Sequence, residues 1–489
     1  MAVGSFKSVI SGGSTGPTAT PYVRPADWLA MPTPAAQEVI GLMAVYDDGA
    51  NYVAIQCTGA YTVDWGDGTV TNYATGVTAS YQHTFASLPS GTLTSKGFRQ
   101  ALVRITPQAG QNLTAVNFNV QNATLGKYFS VGWLDFDVRI PNGTISWSGG
   151  SNQTRYARLE KIYIRELGVQ QGSSLFNNLI GLRSVYIEPT EMTGRTSFNN
   201  MFQGCSVLEE APYFDTSSGQ SFFSMFSGCS NLKVVPSYNL ASSTNVSLMF
   251  DQCTLLTQTP AFTLNATASN MFSGATFLTT VGALTTTNVT DASSMFFGCN
   301  ALETVPLFDT SKVINFTSMF QNCRSLLTIP LFNTILGQNF TTMFANCYSL
   351  REIPLLNTIA ATNMSNMFIN DTYFIYLPAL NTSNVTTLNG TFNGCFSLRE
   401  LPALNLPLCT VFTSWLGTNP SFSKSNITGA TRGHSYSGMA LSQANIVTIF
   451  NNLGTASGAQ TITVSGNPGY AGLTAGERLI ATLKGWTIA

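Results

Sequence analysis

The dipeptide Met-Phe returns at Met201, Met225, Met249, Met271, Met295, Met319, Met343 and Met367, in steps of 24 residues with one step of 22. A ninth copy reads Thr391-Phe392, and degenerate copies at Leu175-Phe176 and Trp415-Leu416 fall near the same register. Around each pair the spelling is close to M-F-x-(G/N)-C-x-x-L-x-x-(I/V)-P-x-(F/L)-(D/N)-T. Apolar residues at fixed offsets within a period of this length mark a solenoid, in which each unit buries its apolar face only by stacking on its neighbours. A chain of 489 residues also exceeds one ordinary core, so further units should flank the repeats.

The repeat predicts its own interior. Met201, Phe202 and Cys205, Met225, Phe226 and Cys229, Met319, Phe320 and Cys323, and Met343, Phe344 and Cys347 form apolar columns. The spacing M-F-x-x-C-x-x-L suits one face of a short helix, with the Ser/Asn-rich turn before it as a start signal. The L-x-x-(I/V)-P-x-(F/L) stretch is extended, its proline fixing φ and withholding a donor. Asp215, Asn239, Asp309, Asn333, Asn357 and Asn381 form a further column, suited to satisfying backbone groups at the turn after the strand. Cysteine recurs at one repeat position, where Ala275 and Asp371 stand in two copies. That tolerance predicts buried thiols acting as small hydrophobes, not disulfides. With two histidines in the chain, no metal site is expected.

The flanks differ. Residues 1–37, rich in Gly, Ser, Thr and Pro, read as an extended attachment arm that needs another subunit or partner to hold it. Residues 38–150 alternate apolar and polar positions between turn signals, as in a β-sandwich. Residues 151–173 read as a linker and N-terminal cap, 174–416 as the solenoid and 417–489 as an α/β C-terminal cap. In the cap, Ser442 opens one helix and a Thr474–Glu477 capping box a second.

Charged residues make up only 9% of the chain and the net charge is −1, so no long-range field would draw nucleic acid or a membrane surface. Residues 1–16 hold one Lys and no continuous apolar run, so neither a secretory signal nor membrane insertion is expected. No catalytic set, phosphate loop or cofactor motif is present around His83, His434 or the scattered carboxylates, and a non-enzymatic protein without cofactors is expected. The position after the repeat proline varies, through Tyr213, Leu307, Leu331 and Leu355. Side chains so released from core packing are the candidate partner-binding surface; the alternative is that Leu307, Leu331 and Leu355 pack against a neighbouring subunit or the molecule's own convex layer.

Two resemblances follow. The repeat resembles leucine-rich repeats of the BspA-like kind, including the DUF285 family, which implies a right-handed stack with one short parallel strand per copy. Val63-Asp-Trp-Gly-Asp-Gly-Thr69 followed by Tyr81-Gln-His-Thr-Phe85 resembles the turn of PKD-like, Ig-like domains, implying that Asp67 and Gly68 make a tight turn over a buried Trp65. This pairing of modules is similar to bacteriophage virion appendages, such as a tail fibre, baseplate or capsid appendage. It implies a homo-oligomer fixed to other virion proteins by its arm and presenting the solenoid to a host-surface glycan or protein. Bacterial cell-surface adhesins share the pairing and supply the alternative.

Overall fold

The computed structural model describes residues 21–128, 132–147, 156–168, 172–265, 267–417 and 419–489. The first strands are β1 (Glu38–Val45), β2 (Tyr52–Thr58), β3 (Tyr61–Asp64), β4 (Val70–Tyr73), β5 (Thr78–Gln82), β6 (Arg99–Pro107) and β7 (Ala115–Asn117). A two-residue hairpin, β8 (Gln121–Asn122) and β9 (Lys127–Tyr128), precedes β10 (Trp133–Ile140), β11 (Thr144–Ser146), β12 (Lys161–Leu167) and β13 (Ser184–Ile187). They form a seven-stranded sheet in the order β13-β12-β10-β1-β6-β3-β4 and a four-stranded sheet in the order β11-β7-β2-β5. Val39, Val63 and Val103 from the larger sheet share one apolar core with Val53, Ile55 and Val116 from the smaller.

The β3–β4 turn shows why its residue types are needed. The Trp65 N–H donates to the Thr69 carbonyl at 2.9 Å, and Gly66 and Gly68 adopt φ of 76° and 92°. A side chain at Gly66 would meet the Leu102 backbone at 2.6 Å. Trp65 is buried and stacked on Tyr81 at 4.4 Å, whose hydroxyl donates to Asp67 Oδ2 at 2.7 Å. Asp67 therefore ties the turn to β5.

The other face of the larger sheet explains the arm. Trp28 packs with Leu42, Ala44, Phe98 and Leu134 in a second cluster. Arg24 pairs with Asp135 at 2.7 Å and donates to the carbonyls of Trp28 and Leu29. Within the chain, residues 21–37 thus lie along their own domain. Residues 1–20 fall outside the described residues.

β10, β12 and β13 run parallel, and β13, the sheet's edge strand, already lies in the coil of Leu175-Phe176. The expected linker and cap at 151–173 accordingly contributes β12 to that sheet. From Ser197 onward each coil meets the next through isolated parallel bridges: Ser197 to Ser221 to Asn245 to Thr267 on one side, Glu210 to Val234 and Glu352 to Tyr376 on a second, Asn405 to Thr428 on a third. The expected single strand per copy is thus split into bridges on three sides of a β-solenoid. Coil-to-coil pairing also passes residue 416, through Glu400–Leu401 with Lys424–Ser425, His434–Ser435 with Ile462–Thr463, and Gln460–Ile462 with Trp486–Ile488.

The expected short helices at Met-Phe are absent among the described residues. This segment is instead a run of turns. In the Met201 coil the N–H groups of Phe198, Asn200, Phe202 and Gly204 donate to Ser221, Phe223, Met225 and Ser227 of the next coil, while Met201, Gln203 and Cys205 bond three residues back. Asn200 and Gly204 have φ of 54° and 74°, and the same two sites are left-handed in the following coils. A left-handed residue every fourth position cannot propagate an α-helix. The only α-helices among the described residues are α1 (Gln443–Asn452) and α2 (Ala475–Thr482) in the cap, where Ser442 accepts from the Asn445 N–H and Thr474 and Glu477 form a capping box.

Candidate partner-binding face

The columns inside the stack hold the outer face rigid. Phe202, Phe226, Phe250, Phe272, Phe296, Phe320, Phe344, Phe368 and Phe392 stack in sequence, with adjacent ring centroids 5.1–5.8 Å apart. Met201, Met225, Met319 and Met343 are buried beside them. Cys205, Cys229, Cys323 and Cys347 are buried free thiols, each donating to the carbonyl of a Phe in the preceding coil at 3.0–3.1 Å. Burial pushes these thiols up, to about 12 for Cys205, so they are held as neutral donors.

Asp371 is the exception in that column. Its Oδ1 accepts the Cys347 N–H at 2.7 Å, and its Oδ2 is buried with no partner. Burial drives its pKa well above the ordinary carboxylate range.

The turn column works locally. Asp215, Asn239, Asp309, Asn333, Asn357 and Asn381 each accept from the backbone N–H two residues on, at 2.9–3.3 Å. The link between coils comes from the next residue, which sequence reasoning passed over. Thr216, Thr310, Thr334, Thr358 and Thr382 are buried and donate to the carbonyl of Asn239, Asn333, Asn357, Asn381 and Asn405 at 2.7–3.0 Å. The Thr that follows most of these Asx residues, replaced by Leu240 and Leu406 in two coils, was the signal available.

Between this turn and the Cys column runs the extended segment. Ile329 and Ile353 point inward, and Leu307, Leu331 and Leu355 point outward, 67%, 63% and 60% exposed. At one rung per coil the three leucines stand about 5 Å apart. Leu307 and Leu331, with Phe308, Leu284, Thr285 and Asn333, line a shallow groove of about 470 Å³. Tyr213, 65% exposed, occupies the same column four coils before Leu307, separated from it by Ser237, Ala261 and Ala283. The structure therefore brings the three leucines together and leaves Tyr213 apart.

The two histidines serve packing. His83 is buried with Nε2 at 2.8 Å from the Trp65 carbonyl, and burial lowers its pKa. His434 is buried against Phe412 at 4.9 Å, and burial lowers its pKa to about 4. Among the described residues no cluster of His, Cys, Asp and Glu could hold a metal ion, and no helix is long and apolar enough to cross a membrane.

The repeat region matches a known family. The profile described as "Mycoplasma protein of unknown function, DUF285" matches residues 172–262, 265–375 and 338–406. Among solved structures, a leucine-rich cell surface protein of Faecalibacterium prausnitzii A2-165 is similar at 16% identity and a TM-score of 0.33, over 66% of this chain and 86% of that one. A TLR13–ssRNA13 complex matches at 14% identity and a TM-score of 0.24, over 65% of this chain and 50% of the other. A mouse RP105/MD-1 complex matches at 13% and 0.22, over 73% of this chain and 58% of the other. No functionally curated protein matches the chain.

Proposed function

We propose that this chain is a non-enzymatic adhesin of a bacterial cell surface, in which a PKD-like N-terminal domain supports a rigid solenoid whose leucine face binds a protein partner. The observation that carries the reading is the row Leu307, Leu331 and Leu355, exposed side by side on coils whose interior is otherwise closed. Contiguous exposed apolar side chains on a soluble surface mark an interaction site. Leucine offers no hydrogen-bonding group to a hydroxyl-rich sugar, which favours an apolar protein surface over a glycan. The DUF285 match over the repeats supports the surface reading. The virion expectation rested on the pairing of modules as well as on the arm, whose residues 21–37 pack on their own domain through Trp28 and Arg24.

The test combines location with binding. Antibody against the solenoid should label intact bacteria, and cells displaying the chain should attach to immobilised protein extracts of their surroundings. The Leu307→Ser, Leu331→Ser, Leu355→Ser triple variant, confirmed folded by circular dichroism, should lose that attachment. Labelling of phage particles instead of cells, or undiminished attachment of the variant, would overturn the reading.

A further inference from the structure

Resting on that leucine face as a docking site, we infer that its partner is a second copy of this chain, bound face to face and antiparallel about a two-fold axis through the Met319 coil. The argument is the order of side chains along the stack. A two-fold axis lying in the interface, perpendicular to the stacking direction, keeps each repeat column in place and inverts the coil order. The Met319 coil then meets itself, the Met295 coil meets Met343, and the Met271 coil meets Met367.

Every consequence of that inversion can be read from the exposed residues. In the column after the proline, Leu331 meets its own equivalent and Leu307 meets Leu355 of the partner subunit, all exposed. Four positions before Leu331, Leu327 (51% exposed) also meets itself. In Leu327's column one coil back stands Glu303, and one coil on stands Arg351. The inversion sets opposite charges against each other on both sides of the axis. Both are exposed, and neither makes an ion pair within the chain among the described residues.

One coil further out, exposed Phe277 faces exposed Tyr373 of the partner subunit, and Thr279 faces Ile375. Beside the leucine row at that level stand Ala283 and Ala379, small in both coils, so nothing there holds the faces apart. The strip is thus apolar at its centre, with opposite charges and aromatics beside it, as protein interfaces are built. The more distant charged pairs, Lys233 with Glu209 and Lys424 with Glu400, are already satisfied within the chain. Arg324 meets its own equivalent at the axis, a like-charge contact that opposes association; its guanidinium lies 5.8 Å from the Tyr348 ring, in the column furthest from the leucines.

Size is consistent with this assignment. The five paired coils, Met271 to Met367, at about 4.8 Å per rung give a strip roughly 24 Å long. At a width of about 20 Å it offers on the order of 480 Å² per copy, about 960 Å² in total, close to the roughly 1,000 Å² that separates specific interfaces from chance contacts, as suits a reversible dimer.

Sedimentation equilibrium of the full chain should show a reversible monomer–dimer equilibrium. Leu331→Asp places two carboxylates at the axis and should weaken association at least 100-fold, with an unchanged circular dichroism spectrum. Arg351→Glu should weaken it about tenfold, and the Glu303→Arg, Arg351→Glu double variant should restore it. Register is read by crosslinking: Leu331→Cys should form a disulfide-linked dimer under mild oxidation, whereas Leu307→Cys should crosslink efficiently only when mixed with Leu355→Cys. A chain that stays monomeric at all concentrations, a dimer indifferent to Leu331→Asp, or crosslinks in another register would overturn the inference. A monomer that still attaches to other proteins through its leucines would sink the dimer and leave the adhesin reading standing. Loss of both would remove the docking face itself.

Discussion

Asp371 occupies the place that seven other coils give to cysteine, and the exchange should make stability fall as pH rises. A thiol in this column donates to a Phe carbonyl of the preceding coil, as Cys395 does to Phe368 at 3.0 Å. By the same register the Phe344 carbonyl is the group an Asp371 donor would meet. A protonated carboxyl can make that bond; a carboxylate would keep only the Cys347 N–H on Oδ1, with Oδ2 buried and lacking a partner. Burial raises its folded-state pKa well above the unfolded value, so the folded chain binds the proton more tightly. Stability is then full at and below the ordinary carboxylate range. It falls by about 1.4 kcal/mol per pH unit upward until the raised value is passed, and is level beyond it. Asp371→Cys restores the column and removes the titration. Urea midpoints of parent and variant from pH 5 upward, converted with a common m value, should show the variant's advantage growing by that increment per unit. The subtraction cancels both buried histidines, which act in the opposite direction. An advantage that is constant with pH, or a parent more stable than the variant at pH 8, would refute the reasoning.

His434 supplies the acid counterpart: its pKa is depressed to about 4, so its contribution is intact above the unfolded imidazole value near 6.5 and drains away as pH falls between the two, by up to about 1.4 kcal/mol per unit. His434→Phe should flatten that limb of a Tm-against-pH curve. Thr334→Val removes the donor to the Asn357 carbonyl at 2.7 Å in a fully buried setting and should cost about 1–3 kcal/mol, read as a lower Tm. Leu248 holds a left-handed φ of 60° at the site that Asn200 and Asn270 fill in other coils. Leu248→Gly should therefore raise the Tm, by the equivalent of about 1 kcal/mol, and an unchanged or lowered Tm would show that the left-handed site carries no strain worth relieving.

The apolar columns were legible in the sequence because a solenoid repeats one burial problem at every coil, and Met, Phe and Cys answer it in the same order each time. The path of the backbone between them was not. Spacings of three and four fit a helix and a chain of turns equally well, since both return a side chain to one face after a single turn. What separates them is the pair of sites flanking Met-Phe. Asn200 with Gly204, Asn270 with Gly274, and Asn366 with Asn370 set a left-handed former at two positions four residues apart, which a helix would have no reason to do. The Ser/Asn-rich turn before Met-Phe also suits a helix start, and only the Gly or Asn four residues on tells the two apart.

The resting place of residues 21–37 was hidden for a related reason. Its Gly, Ser, Thr and Pro content says only that residues 21–37 cannot make a core by themselves. Trp28 and Arg24, helped by Leu29, Met31 and the bonds of Asp27 and Leu29 to Ser95 and Gln100, fix such a segment when a sheet presents Leu42, Ala44 and Leu134 outward with Asp135 beside them. Local composition cannot report a surface supplied by strands tens of residues away. The candidate binding face joins the two lessons. Exposure of Leu307, Leu331 and Leu355 followed from the variability of one repeat position, a local property. The opposition of Glu303 to Arg351 is a relation between coils two periods apart, and it acquires meaning only once the stack sets a common column and a centre at Leu331. A periodic fold turns sequence distance into spatial order, so self-complementarity about a point in the chain becomes a physical statement about how two copies can meet.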